Sequence, residues 1–229
     1  MHPLRTLFTY MSGFCDRNKV IILRDVAIIG STIDAYICAH QILDNDNNTT
    51  ITLFDESAEA GFGEDAPGIF PKWPLISSEW HSCLLRQTPN QSSTAVRHAW
   101  LLKSIAISLS KRNATILLRT KVTKTFGDRI EFEGAGLIPH STQSFDNIFD
   151  FRKEKSNKKW KGGISTNILE KEFDVIGARV DGTIEVWWQG ENRNEEVWLQ
   201  TMSWCGTDPR NALEDMIEAG IKTANTIKS

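Results

Sequence analysis

The sequence contains no run of about 18 apolar residues, the shortest that reads as a membrane span, and no Cys-x-x-Cys pair. Its four cysteines, Cys15, Cys38, Cys83 and Cys205, lie far apart, and no histidine stands close enough to complete a zinc knuckle. They read as unpaired thiols of a reducing compartment, with Cys38 inside a helical stretch and therefore in the core. A strong excess of one charge is also missing. The formal net charge of -3 gives no general pull toward nucleic acid or an acidic membrane. There is no Gly-x-Ser-x-Gly nucleophile elbow, no metal-ligand cluster and no internal repeat. The N-terminal "MHPLRTLFTYMSGFCDRNK" has a short apolar patch broken by Ser12, Gly13, Asp16 and Arg17. It lacks the compact apolar core and small-residue cleavage site of a secretory signal. The expectation is a cytoplasmic protein without a membrane span, with residues 1–24 as an N-terminal extension.

What is present is globular. Of 229 residues, 40% are hydrophobic and 24% charged, enough for one large domain, placed at residues 25–229. "VAIIG" (Val26 to Gly30) is a short apolar run ending at glycine, as in a strand buried on both faces of a parallel sheet. Thr32 to Leu43 has helical spacing, "DNDNN" is a turn cluster, and "TITLFD" (Thr50 to Asp55) alternates like a second strand. Residues 57–93 are irregular and rich in Gly and Pro. A helix is expected over Thr94 to Lys111, then "TILLRTKVTKTF" as a strand able to form a hairpin with "DRIEFEG". Residues 135–166 read as a second irregular insertion. It contains the basic run "FRKEKSNKKWKGG", which could be a nucleic-acid patch but reads better as a solvated loop. "EFDVIGARVDG" is an apolar strand with a turn. "TIEVWWQ" and "EEVWLQTMSWCG" are expected to pair as a hairpin across "GENRN". Asp208 as N-cap and Pro209 at the first helical position would open a final amphipathic helix. This order predicts an α/β fold: a Rossmann-like FAD/NAD(P)-binding domain with a mostly parallel sheet and an added antiparallel β-ribbon.

The turn at Gly30 carries the first functional signal. A pyrophosphate needs backbone N–H donors and a helix N-terminus with no side chain in the way, hence Gly-x-Gly-x-x-Gly. Here the turn reads Gly30-Ser31-Thr32-Ile33-Asp34-Ala35. Gly30 keeps the tight turn and Ala35 is an allowed replacement. Thr32 stands where the phosphate should meet bare backbone, and Asp34 adds a negative charge. Asp55, or Glu56 beside it, stands where a ribose-binding acid belongs. On these residues alone, a cofactor turn and a plain β-α-β unit remain alternatives.

Later segments carry a resemblance. Arg97 and Leu101 match a helix with Arg-x-x-x-Leu, and Val122 in "RTKVT" looks like a strand-end valine. "FDVIGARVDG" is similar to an Asp-Val-Val-Gly-Ala-Asp-Gly strand, and "WLQTMSWCGTDP" to a last strand ending in Gly-Asp. These are features of the FAD-dependent oxidoreductase superfamily with the glutathione-reductase-like Rossmann fold. The pattern is nearest to aromatic hydroxylases, lycopene cyclases and flavin halogenases. "GFGEDAP" resembles the Gly-x-Gly-Glu segment of the halogenases, whose Trp-x-Trp-x-Ile-Pro motif is not found. The resemblance implies FAD as cofactor, with NAD(P) as the other nucleotide. It would place Gly30, Ser31 and Thr32 at the pyrophosphate, with Ala35 at the helix–strand contact. Asp55 or Glu56 would lie at the ribose, Arg97 nearby, Val122 near the adenine, and Gly206 and Asp208 at the flavin ribityl chain.

The resemblance also implies a substrate domain between the Asp-Gly turn and the final Gly-Asp. Here only Thr183 to Cys205 lies between them, so the substrate-binding region is reduced. Two activities follow as expectations: an FAD-dependent oxidoreductase or monooxygenase with an unknown small-molecule substrate, or a non-catalytic relative acting as a binding or assembly subunit. In the second case a protein partner or a second copy would supply the missing surface. No catalytic side chain is identified. His81, His98 and His140 have no evident partner. Trp187 and Trp188 could stack on a flat ligand or pack in a core.

Overall fold

In a computed structural model, the described residues are 24–63, 65–134, 140–152, 158–166, 173–191 and 198–227. Residues 1–23 of the N-terminal extension and Glu64 of "GFGEDAP" lie outside them. The fold begins with β1 (Arg24–Ile29), α1 (Ile33–Asn45) and β2 (Thr49–Phe54), with β2 parallel to β1. Strand β3 (Ala114–Leu117) joins β2, and β7 (Asn147–Asp150) joins the other side of β1. The parallel sheet thus has the order β3-β2-β1-β7.

Alternation along β1 decides the layers. Val26 and Ile28 face one side and pack under α1 and under α2 (His98–Leu109), in a core that also includes α3 (Ala212–Ala224). Ala27 and Ile29 face the other side and pack with Val122, Ile130, Phe132 and Phe145. Those residues belong to, or adjoin, an antiparallel meander of β4 (Thr120–Phe126), β5 (Arg129–Gly134) and β6 (Ser141–Ser144). Both faces of the parallel sheet are therefore covered, which explains the unbroken apolar run. Helix α3 packs on α1 through Gly220, where a Cβ would stand 2.5 Å from the Asp34 carbonyl oxygen.

A second antiparallel sheet has the order β11-β8-β10-β9, from β8 (Lys159–Ser165), β9 (Val175–Ala178), β10 (Ile184–Trp188) and β11 (Gln200–Cys205). Two sequence expectations fail here. The expected β10–β11 hairpin is absent, because β8 lies between the two strands and pairs with both. Part of the supposed basic loop is therefore a central strand. Its glycines are floors for aromatic rings: a Cβ on Gly162 would stand 2.9 Å from Trp187, and one on Gly163 2.4 Å from Trp198. Residues 153–157 of that run are outside the described residues. Trp187 and Trp188 are core residues; Trp188 stacks on Trp198 with ring centroids 5.5 Å apart.

The final helix also starts later than expected, with Asn211 at the cap position. The Asp208 carboxylate instead accepts from Arg210 N–H at 2.9 Å. Among the described residues no helix is long and apolar enough to cross a membrane.

Buried histidines tie the helical layer together. His40 on α1 stacks on Trp80 at 5.1 Å, and its Nε2 lies 3.0 Å from the Ile105 carbonyl oxygen. Its Nδ1 lies 3.1 Å from Arg112, so the ring is neutral, with Nε2–H donating and Nδ1 accepting. Burial lowers its pKa from 6.5 to about 4. The folded state therefore resists protonation. The stabilisation is complete above about pH 6.5 and is lost as the pH falls toward 4. Urea unfolding is expected to show a loss of roughly 3 kcal/mol across this window, and His40→Gln should remove most of it. Burial also lowers the pKa of His81 and His98, which adds to the same acid limb.

A candidate dinucleotide crevice

The register of the parallel sheet aligns four strand ends. Ile29 pairs with Phe54 on one side and Asp150 on the other, and Phe54 pairs with Leu117. The chain leaves β1 toward α1, on the helix face, and the strand order reverses at β1. In open α/β sheets this switch point at the carboxyl ends leaves a crevice. A crevice of about 470 Å³ lies there, lined by Ile29, Gly30, Ser31, Thr32, Phe54, Glu56, Thr120, Val122, Phe151 and Arg152.

Its floor explains the retained glycine. Gly30 has φ +150° and donates its N–H to the Phe54 carbonyl at 3.0 Å. A Cβ there would stand 3.0 Å from Phe151 Cβ and 3.3 Å from Ala35 Cβ, so β1, α1 and the end of β7 meet in tight contact at this glycine. Ala35 is fully buried at that contact. Thr32 is the N-cap residue of α1, and its hydroxyl bonds the Asp34 carboxylate rather than a backbone N–H. Asp34 Oδ1 also accepts from Ala35 N–H at 3.1 Å. The first turn of α1 thus turns the Thr32 hydroxyl and the Ala35 N–H onto its own Asp34 side chain.

The two candidate ribose acids separate. Asp55 is fully buried; it accepts from the Tyr36 hydroxyl at 2.7 Å and from Ser57 N–H at 2.8 Å. Burial, and then the Asp55 charge, push the Tyr36 phenol well above its ordinary pKa, so the O–H stays protonated as the donor. Glu56, one residue on, is exposed and lines the crevice. Successive residues leaving a strand point to opposite sides.

On the far wall, Arg152 follows β7. Its Nε donates to both Asp150 oxygens at 2.9 and 3.1 Å, Nη2 to Asp150 Oδ2 at 2.5 Å, and Nη1 to the Val122 carbonyl at 2.9 Å. Partial burial pushes the Asp150 carboxyl up. The Arg152 hydrogen bonds and charge outweigh it and hold the group below the usual carboxylate range.

Arg97, expected near the ribose, and Gly206 and Asp208, expected at the ribityl chain, engage other partners. Arg97 precedes α2, pairs with Asp181 at 3.2 Å and lies over the Trp100 ring. Gly206 ends β11 under Trp204, whose ring would stand 1.9 Å from an added Cβ. Asp208 pairs with Arg210 at 3.1 Å. None of the three lines the crevice. "FDVIGARVDG" is not in the parallel sheet either, since β9 is the edge of the second antiparallel sheet. Conversely, Phe151 and Arg152 were missed because β7 fell inside a supposed insertion. A more open apolar groove of about 890 Å³ lies between α2 and a 3-10 turn (Ser82–Gln87), lined by Leu84, Leu85, Trp100 and Ile107 among others.

This architecture recurs in solved structures. AlpK superposes with a TM-score of 0.60 at 9% identity, covering 89% of this chain and 61% of that one. The fold is theirs in outline only. CabE, an aromatic hydroxylase from angucycline biosynthesis, gives a TM-score of 0.57 at 9% identity, covering 89% and 62%. A flavoprotein/dehydrogenase from Cytophaga hutchinsonii gives 0.53 at 12%, covering 88% and 77%. This chain therefore spans about 61% of the length of AlpK and 62% of CabE. No protein-family model and no curated protein sequence matches the chain. Against the residues present, FAD fits at one end. Apolar walls, Glu56 and the Gly30 turn suit an adenosine diphosphate, whereas Gly206 and Asp208, expected at the ribityl chain, are not among the lining residues.

Proposed function

We propose that this chain is an FAD-dependent oxidoreductase-like protein that takes a dinucleotide by its adenosine end. The observation that carries the reading is the crevice at the reversal of strand order, where Gly30, Ser31, Thr32, Glu56 and Val122 come together. Glu56 supplies the acceptor for ribose hydroxyls. Val122 and Phe54 supply apolar surface for a base, and the backbone at Gly30 supplies close approach. A bound flavin would supply the redox chemistry. The chain's own residues bind and orient the nucleotide. The alternative is a non-catalytic relative that serves as a binding or assembly subunit. It is favoured by the pairing of Arg97 with Asp181 and of Asp208 with Arg210, which leaves both engaged away from the crevice.

Titration of the protein with FAD, followed by quenching of flavin fluorescence and by equilibrium dialysis, separates nucleotide binding from none. Saturable binding at a one-to-one ratio is expected. Failure of millimolar FAD to bind at all would sink the proposal. Bound FAD that a reductant cannot reduce would favour the non-catalytic alternative.

A further inference from the structure

Resting on the nucleotide reading above, we infer that the crevice recognises the adenosine 5′-diphosphate moiety by itself, with Arg152 as its cation, and that the flavin half of FAD adds little to binding. The crevice volume of about 470 Å³ lies in the lower half of the roughly 300–1,000 Å³ usual for small-molecule sites. Its polar groups match one nucleotide half: a carboxylate at Glu56, backbone at Gly30 and Ser31, and a guanidinium at Arg152.

Arg152 is the one cation among the lining residues. A guanidinium has five N–H donors. Asp150 engages Nε–H and one Nη2–H, and the Val122 carbonyl engages one Nη1–H. Two donors remain for a ligand, on a fork whose orientation is already fixed. A guanidinium held in this way loses less freedom on binding a phosphate than a free side chain would.

Among the described residues, the crevice lining offers the flavin half no counterpart: Gly206 and Asp208, expected at the ribityl chain, are not part of it. The open face of Gly206 is covered by Trp204, and its carbonyl accepts from Trp160 Nε1 at 3.2 Å. A dinucleotide seated here would leave its second half outside the crevice.

Calorimetric or dialysis titrations of the full chain with ADP, FAD, NAD and FMN test this. ADP, FAD and NAD are expected to bind with dissociation constants within about threefold of one another, and FMN not to compete. FAD binding more than about tenfold tighter than ADP would overturn the inference and leave the FAD reading standing. If no adenine nucleotide binds, both fall. Arg152→Gln is expected to weaken ADP and FAD alike by about tenfold or more, and Arg152→Lys by less, since lysine keeps the charge and loses the fork. Thermal unfolding of each variant shows whether it is folded, and the comparison among ligands on the unaltered chain needs no variant. Unchanged ADP affinity in a folded Arg152→Gln protein would remove Arg152 from the site.

Discussion

Replacing Glu185 by alanine is expected to lower the stability of the protein by about 3–5 kcal/mol. Glu185 is fully buried on β10 and pairs with Arg179, itself 7% exposed, at 2.5 Å. Arg179 donates to Glu185 Oε2 through Nε and Nη2. Glu185 Oε1 accepts from Trp187 Nε1 at 2.8 Å and from Gly68 N–H at 2.9 Å. Gly68 is held at that spot because even a Cβ there would meet the Val96 carbonyl oxygen at 1.7 Å. Truncation strands a buried guanidinium and two buried N–H donors at once, and each orphaned group keeps its full desolvation cost. Glu185→Gln should fall between alanine and the original, since it keeps an acceptor and loses the charge. Urea unfolding measures both. A loss under about 1 kcal/mol for Glu185→Ala would show that water reaches the pair, contrary to the geometry.

A second pair of substitutions separates architecture from recognition. Asp55→Ala is expected to cost about 2–4 kcal/mol of stability, because the buried Tyr36 O–H and the Ser57 N–H lose their acceptors. Glu56→Gln is expected to leave stability within about 0.5 kcal/mol, as exposed substitutions usually do. It should also weaken nucleotide binding by about tenfold through loss of a charged acceptor. The reverse pattern, a structurally silent Asp55 and a Glu56 without effect on binding, would restore Asp55 as the ribose acid. Tyr36→Phe is the control. It removes one donor to Asp55 and should cost less than Asp55→Ala.

The β-α-β unit was legible because three signals coincided there: an apolar run, a turn at glycine, and a change to helical spacing. The sequence offered Asp55 and Glu56 together as candidate ribose acids, and only the fold separates the buried one from the exposed one. One position at a strand end exchanges buried for exposed, and the deciding partner, Tyr36, belongs to another element. Strand β7 was missed for a different reason. "NIFD" is four residues long, lies among polar residues, and is fixed by pairing with β1 rather than by local pattern. Its loss hid Phe151 and Arg152, two of the residues that line the crevice. Strand β8 was hidden by composition. Lys159, Lys161 and two glycines read as a solvated loop until Trp187 and Trp198 are seen lying on the glycines. The expected hairpin failed because neighbours in sequence need not pair when a third strand can enter between them. Resemblance placed Arg97, Gly206 and Asp208 by order along the chain, whereas their ion pairs and a covering tryptophan are set by contacts no linear pattern records.

The most direct test of the crevice is amide hydrogen exchange with and without saturating ADP. Slower exchange is predicted in peptides covering residues 28–35, 54–57 and 150–152, with no change along residues 84–87 and 100–107, which line the apolar groove of α2. Protection confined to that groove, or none at residues 28–35 and 150–152 under saturating ligand, would contradict the placement of the nucleotide at the reversal of strand order.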